Sequence, residues 1–288
     1  MSEAKRIWVD AEVHLFPKEW CDPGWRPPES EEVLLRTVYD HPERDLALKN
    51  AHVEPLLTEM ELSGIDKAVI MGLPWLSAGL CDMNNSAIAE AVEQYPDRFI
   101  GLGVLPAPDK VKPQHAIRRI QEIQNLRGVK VIPAWQGWKL DDEVMDPAYA
   151  EMAERELVLF PHTDHGYLPD KNFDLPSRLL NVARRHPTLK IAAPHLGGML
   201  AAYGLHPPLR DELQNFLFIG TVPTTMPMIR WAVEAVGDHQ VAFGTDFPFN
   251  PDHRQGGMKE TLETMGFSGE QLDRIAGLNT LTFFGVEP

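Results

Sequence analysis

Residues 8–17 read WVDAEVHLFP. The run is apolar enough for a buried strand, yet Asp10, Glu12 and His14 occupy every second position. Alternate side chains of a strand share a face, so this spacing aims two carboxylates and an imidazole at one point. A strand carrying such groups belongs to a fold in which other strands aim similar groups at the same place.

Seven further runs of comparable length follow: KAVIMGL (67–73), FIGLGVL (99–105), GVKVIP (128–133), LVLFPHT (157–163), KIAAPHLG (190–197), FLFIGT (216–221) and VAFGTDFP (241–248). Between them lie segments of helical period, such as 84–96, 114–126 and 174–187, with Asn84 and Asp174 as candidate caps and Pro96 and Pro187 as stops. Eight strands alternating with helices predict an α/β protein, a (β/α)8 TIM barrel. An open doubly wound sheet is the alternative, but no glycine-rich phosphate loop follows the first strand. No linker divides the chain, so residues 1–288 are expected to form one domain. The stretch 16–45 breaks the repeat. It holds Trp20, Cys21, Trp25, Arg26, Arg36 and Arg44, and its place after the first strand predicts a lid over the C-terminal mouth of the barrel, where barrel active sites form.

The bulk properties limit the partners. With 27 Lys and Arg against 42 Asp and Glu, the formal charge is −15. That balance argues against nucleic acid and against an anionic membrane surface, while a local pocket can still bind a small acid. Hydrophobic residues make up 43%, ample for a core, and no run reaches the length of a membrane span. Two cysteines, Cys21 and Cys81, suit neither a disulfide framework nor a thiolate metal cluster. Together with the lack of a signal-like apolar stretch near Met1, this predicts a cytoplasmic protein.

The polar residues at the strand ends carry the chemistry. Glu12 and His14 end the first strand, His162 the fifth (FPHTDHG), His195 the sixth (APHLGG) and Asp246 the eighth (FGTDFPF). One histidine at a strand end is most often a hydrogen-bonded structural residue. Three of them with two carboxylates at one barrel mouth point to a divalent metal, since imidazole and carboxylate suit zinc, manganese or iron and leave room for substrate. Lys130, on the fourth strand, reads either as a bridging metal ligand or as a buried lysine paired with a carboxylate. His165 and Asp164 can orient a ligand or simply form a turn.

These features, together with EQYPDRFIGLGVLP (93–106), LKIAAPHLGG (189–198), VAFGTDFPF (241–249) and GLNTLTFFG (277–285), resemble the amidohydrolase superfamily. The match is to the branch containing aminocarboxymuconate-semialdehyde, γ-resorcylate and 5-carboxyvanillate decarboxylases. The resemblance implies one divalent metal, with zinc expected first and manganese or magnesium as alternatives, held by Glu12, His14, His162 and Asp246. It implies catalytic roles for Asp246 and His195 and makes a homodimer the default. Glu12 stands where the superfamily usually has a histidine, a departure shared by several aromatic-acid decarboxylases of the branch. The expected activity is therefore non-oxidative decarboxylation of a hydroxylated aromatic or unsaturated carboxylic acid, with hydrolysis of a small cyclic lactone or amide as the alternative. Arg26 and Arg44 are candidates for an anionic substrate group, and Trp75 and Trp135 for a planar one.

Overall fold

In the computed structural model, residues 5–27, 39–40, 47–109, 111–122, 125–163, 175–221, 225–249 and 255–288 are described. Eight strands run in sequence order round one sheet, every neighbouring pair parallel. They are β1 (Val9–His14), β2 (Lys67–Met71), β3 (Phe99–Val104), β4 (Gly128–Val131), β5 (Val158–Pro161), β6 (Lys190–Ala193), β7 (Phe216–Gly220) and β8 (Val241–Phe243). The helices that follow them in turn are α1 (Val53–Ser63), α2 (Ala78–Gln94), α3 (Pro113–Glu122), α4 (Asp146–Glu154), α5 (Leu175–Arg185), α6 (Pro207–Glu212), α7 (Ile229–Val236) and α8 (Gln255–Glu263). This is the (β/α)8 barrel. Each strand was legible because parallel strands covered on both faces read as unbroken apolar runs.

Two apolar layers hold it. Val69, Met71, Leu102, Phe160, Leu217 and Ile219 pack together with Val9 and Ala11, while Ile70, Val129, Leu159, Ile191 and Phe218 pack with the helices. Helix α2 starts at Ser77, whose hydroxyl caps Leu80 N at 3.4 Å, and not at Asn84. Asn84 lies inside the helix, fully buried, where its amide donates to Leu15 O at 3.0 Å and ties the helix to the end of β1. A polar residue that looks like a cap is here a buried cross-link, and its burial supplies the reason: a buried amide must be hydrogen-bonded. Asp174 lies outside the described residues.

Strand β1 contains the main departure from the expected pattern. Val9 and Asp10 face Lys67 and Ala68, but Val13 already faces Ile70, so β1 holds one residue more than β2 over this stretch. An extra residue exchanges the two faces of everything beyond it. Asp10 therefore parts company with Glu12 and His14. It turns to Thr245 and to Gln255 on α8, while Glu12 and His14 stay together.

The seam between β8 and β1 is closed by few bonds. Asp246 N donates to Glu12 O at 3.0 Å and His14 N to Phe247 O at 2.7 Å, around a single bridge of Val13 to Phe247.

Candidate metal centre at the barrel mouth

Glu12, His14 and Asp246 each offer one ligand atom, and these atoms lie within 4.8 Å of one another. His14 Nε2 is 3.1 Å from Asp246 Oδ1 and 4.0 Å from Glu12 Oε1. The backbone brings them there by unusual means. Asp246 has φ 58°, in the left-handed region that asparagine and aspartate tolerate better than most residues. That turn swings its carboxylate back from the end of β8 toward β1.

Lys130 on β4 resolves the two readings of its role in favour of pairing. Its side chain is fully buried, its Nζ sits 3.0 Å from Glu12 Oε1, and it lies 4.6 Å from the centre of the Phe160 ring. Burial by itself would raise the Glu12 carboxyl. The charge of Lys130, then smaller electrostatic contributions from the His195 and His14 rings, and the hydrogen bond from Lys130 outweigh it and hold the group below its ordinary value. Lys130 occupies one carboxylate oxygen only. Glu12 Oε2, His14 Nδ1 and His195 Nε2 are buried polar atoms with no hydrogen-bond partner among the described residues. Buried polar atoms are rarely left so. Two carboxylates and an imidazole converging here, with Glu12 Oε2 unused, fit a divalent cation well.

His195 follows β6, and its ring packs edge-on against that of His162 with centroids 5.3 Å apart. His195, Leu196, Gly197, Gly198 and Met199 have φ values of 50, 54, 68, 59 and 78°, one turn of left-handed helix. Such a turn costs about 1–2 kcal/mol for each residue with a Cβ, and strain of this kind collects at functional sites. The hydroxyl of Thr163, just past β5, donates to Pro194 O and steadies its start. His162 is half-buried, and its backbone N donates to Val131 O at 2.8 Å. Its ring atoms fall outside the group formed by Glu12, His14 and Asp246.

Asp10 has a different task. Thr245 N (2.9 Å), the Thr245 hydroxyl, Gln255 Nε2 (2.7 Å) and Glu12 N (3.2 Å) all donate to its carboxylate. Complete burial nonetheless pushes this carboxyl up to about 7, with the four hydrogen bonds opposing. The residue ties β1 to the loop that carries Asp246.

The segment after β1 does cover the mouth where it is described. Trp20 stacks on Trp25 with centroids 4.9 Å apart, and both meet Trp75 edge-on at 5.0 and 5.9 Å. This cluster includes Leu73, Val104 and Ile132 at the ends of β2, β3 and β4, with Trp135 and Phe249 packed against it. Trp75 is completely enclosed, so it braces the wall and leaves no free ring face. Trp135 and Phe249 stay partly open, and Phe249 reaches the His14 ring at 5.1 Å. Arg26 is exposed and committed to Asp40 (2.9 Å) and to the carbonyls of Pro23 and Trp25. Arg44, Arg36, Asp164 and His165 lie outside the described residues. Sequence reasoning missed Phe249 and Thr221. Each looks ordinary beyond an apolar strand, and only the three-dimensional neighbours reveal it.

Comparison with known proteins agrees with this architecture. The family model described as Amidohydrolase matches residues 9–286. The 2-amino-3-carboxymuconate-6-semialdehyde decarboxylase of Dictyostelium discoideum is 25% identical over 239 residues, covering 71% of this chain and 66% of that protein. The chain thus spans just under two thirds of that relative. Two solved structures superpose along nearly the whole chain. The 5-carboxyvanillate decarboxylase of Novosphingobium aromaticivorans, complexed with manganese and 4-hydroxy-3-methoxy-5-nitrobenzoic acid, has a TM-score of 0.79 at 18% identity and covers 98% of this chain and 96% of that one. The 2,6-dihydroxybenzoate decarboxylase from Rhizobium has a TM-score of 0.75 at 16% identity and covers 98% and 99%. No described helix is long and apolar enough to cross a membrane.

Proposed function

This chain belongs to the amidohydrolase family, and we propose that within it the protein is a metal-dependent, non-oxidative decarboxylase of a hydroxylated aromatic or unsaturated carboxylic acid. The observation that carries the reading is the cluster of buried Glu12 and His14 with half-buried Asp246, in which Glu12 Oε2 and His14 Nδ1 have no partner among the described residues. The decarboxylases among the relatives and structural neighbours supply the reaction class.

Glu12, His14 and Asp246 would hold one divalent ion, with His162 as the proposed fourth ligand. When bound, the ion would anchor the substrate's carboxylate with an adjacent hydroxyl or enolate oxygen and offset charge there. Zinc is the ion the sequence favoured. The manganese in a structural neighbour and the two carboxylate donors favour manganese equally, and elemental analysis of the purified protein separates them. Lys130 holds Glu12 Oε1 and leaves Oε2 free. Phe249 and Trp135 offer partly open ring faces to a planar substrate.

The proton balance follows from Asp246. Breaking the bond to the carboxylate leaves its electron pair on the carbon, and the carboxyl of Asp246, beside His14, delivers the proton that replaces CO₂. His195, through Nε2, steadies the substrate oxygen on which negative charge develops. We extend the proposal to a cytoplasmic homodimer. Two buried cysteines, Cys21 and Cys81, suit a reducing compartment, and light scattering reads the oligomeric state directly.

The test is a panel of hydroxybenzoates and muconate-like acids set beside lactones and amides, with CO₂ release and hydrolysis both followed on metal-loaded protein. CO₂ from an acid supports the reading. Turnover confined to the lactones or amides overturns it in favour of a hydrolase.

A further inference from the structure

Thr221, the first residue beyond β7, faces the Nδ1 side of the His195 ring. Its hydroxyl oxygen lies 2.6 Å from His195 Nδ1, and its side chain is fully buried. We propose that Thr221 is a positioning residue that keeps neutral His195 protonated on Nε2, making it a hydrogen-bond donor to the substrate and not a metal ligand.

The direction of this hydrogen bond decides the tautomer. A separation of 2.6 Å is short for an N–H donor and ordinary for an O–H donor. The Thr221 hydroxyl has no other acceptor among the described residues, and a buried hydroxyl left without one is costly. Thr221 N is meanwhile directed at Thr225 Oγ1 at 3.3 Å, which fixes the backbone that presents the hydroxyl. The hydroxyl therefore donates and Nδ1 accepts. A neutral imidazole that accepts at Nδ1 carries its proton on Nε2. That nitrogen is the unpartnered one, and with a proton in place it has no lone pair to give a cation.

The backbone around His195 explains why such a lock is needed. The residue opens a left-handed turn, so no regular helix or strand dictates its ring pose. The turn is seated on β7: a Cβ at Gly197 would meet the Phe218 ring at 3.1 Å and Leu200 Cβ at 3.0 Å. Strand β7 thus supplies both the floor beneath the turn and the hydroxyl that orients its histidine. In the sequence this strand contributed no polar group to the mouth.

The inference rests on the proposed function only in taking His195 to face the substrate, and its first arm is independent of any reaction. Protein with ¹⁵N-labelled histidine, reconstituted with diamagnetic zinc, is examined by long-range ¹H–¹⁵N correlation, with His195→Asn identifying the signal. Wild type and Thr221→Ser should show a bare Nδ1 and a protonated Nε2, while Thr221→Val should shift the proton toward Nδ1. On whichever substrate is turned over, Thr221→Val should lower kcat by roughly 10–100-fold, the range for partners that orient a histidine. Metal content should be unchanged, and KM should stay within about threefold of wild type. Serine should restore most of kcat. A bare Nε2 in wild type overturns the proposal, and so do Ser and Val variants equally impaired, which would make Thr221 a packing residue. Should the Val variant fail to fold, the wild-type and Ser spectra still decide.

Discussion

Replacing Lys130 with methionine should destabilise the metal-free protein far more than a lysine substitution normally does. Methionine keeps most of the side-chain volume in the barrel interior, so packing changes little. What disappears is the only cation hydrogen-bonded to Glu12 among the described residues, at 3.0 Å and with both side chains fully buried. At that separation the gross attraction is about 5–6 kcal/mol for an effective dielectric constant of about 20. Desolvation of the lysine takes back part of it. Removing one partner of a buried pair typically costs about 3–5 kcal/mol, because the other charge is left uncompensated. At about 2–4 °C per kcal/mol for a domain of this size, Tm should fall by roughly 6–20 °C. Two controls separate charge from shape. The double variant Glu12→Gln with Lys130→Met removes both charges and should recover most of the loss. Added zinc or manganese should raise Tm further in Lys130→Met than in wild type, since the ion replaces the missing positive charge. Melting curves of the three proteins by circular dichroism, with chelator and with excess metal, make every comparison. A single variant whose chelated melting point stays within about 2 °C of wild type, with no greater gain from metal, would refute the account of Glu12 as a charge held by Lys130.

Three other outcomes are expected. Asp246→Asn should retain part of the metal yet lose about 10²–10⁴-fold in turnover, the usual range for a proton-transfer group, and His14→Ala should lose the metal itself; elemental analysis with kcat distinguishes the two. Gly197→Ala should cost roughly 2–4 kcal/mol in denaturant unfolding, because its φ of 68° penalises any Cβ and that Cβ would press on Phe218 and Leu200; a loss near zero would mean that the turn relaxes freely. In acid, stability should fall as the pH drops below the ordinary carboxylate range of about 4. Burial would raise the carboxyls of Asp141, Asp146 and Glu151, but their hydrogen bonds and ion pairs with Asn181 and Arg178, His186 and Arg185, and Arg118 and Arg155 outweigh it and lower all three. A depressed native value means stabilisation that is present above the unfolded value and lost below it, so Asp141→Asn should flatten the acid limb of a stability–pH curve.

The barrel could be read from the sequence because each of its eight strands is an apolar run ended by something conspicuous. The polar ends of β1 and β8 were legible for the same reason, since a glutamate, a histidine and an aspartate interrupt runs that burial would otherwise keep apolar. The extra residue in β1 was not legible. Strict alternation placed Asp10 with Glu12 and His14, and nothing in WVDAEVHLFP marks the position at which the register changes. Asn84 looked like a helix cap because asparagine favours caps, whereas its tertiary partner, Leu15 O, is 69 residues away. Lys130 allowed two readings until Glu12 was found beside it. Thr221 gave no signal at all, as threonine is common at strand ends, and its meaning comes from a histidine on the neighbouring strand.

The seam between β8 and β1 has a consequence for how the protein is made. Glu12 and His14 leave the ribosome long before Thr245 and Asp246, and the tie from Asp10 to Thr245 spans 235 positions. Closing so long a loop costs little more than closing one half its length, but it can happen only once β8 and the loop after it have been made. Until then, the edge of β1 away from β2 lacks its bonds to Asp246 and Phe247, and the candidate metal cluster lacks Asp246. At the proposed metal site an ion would fasten this seam last, so its uptake would report that the barrel has closed.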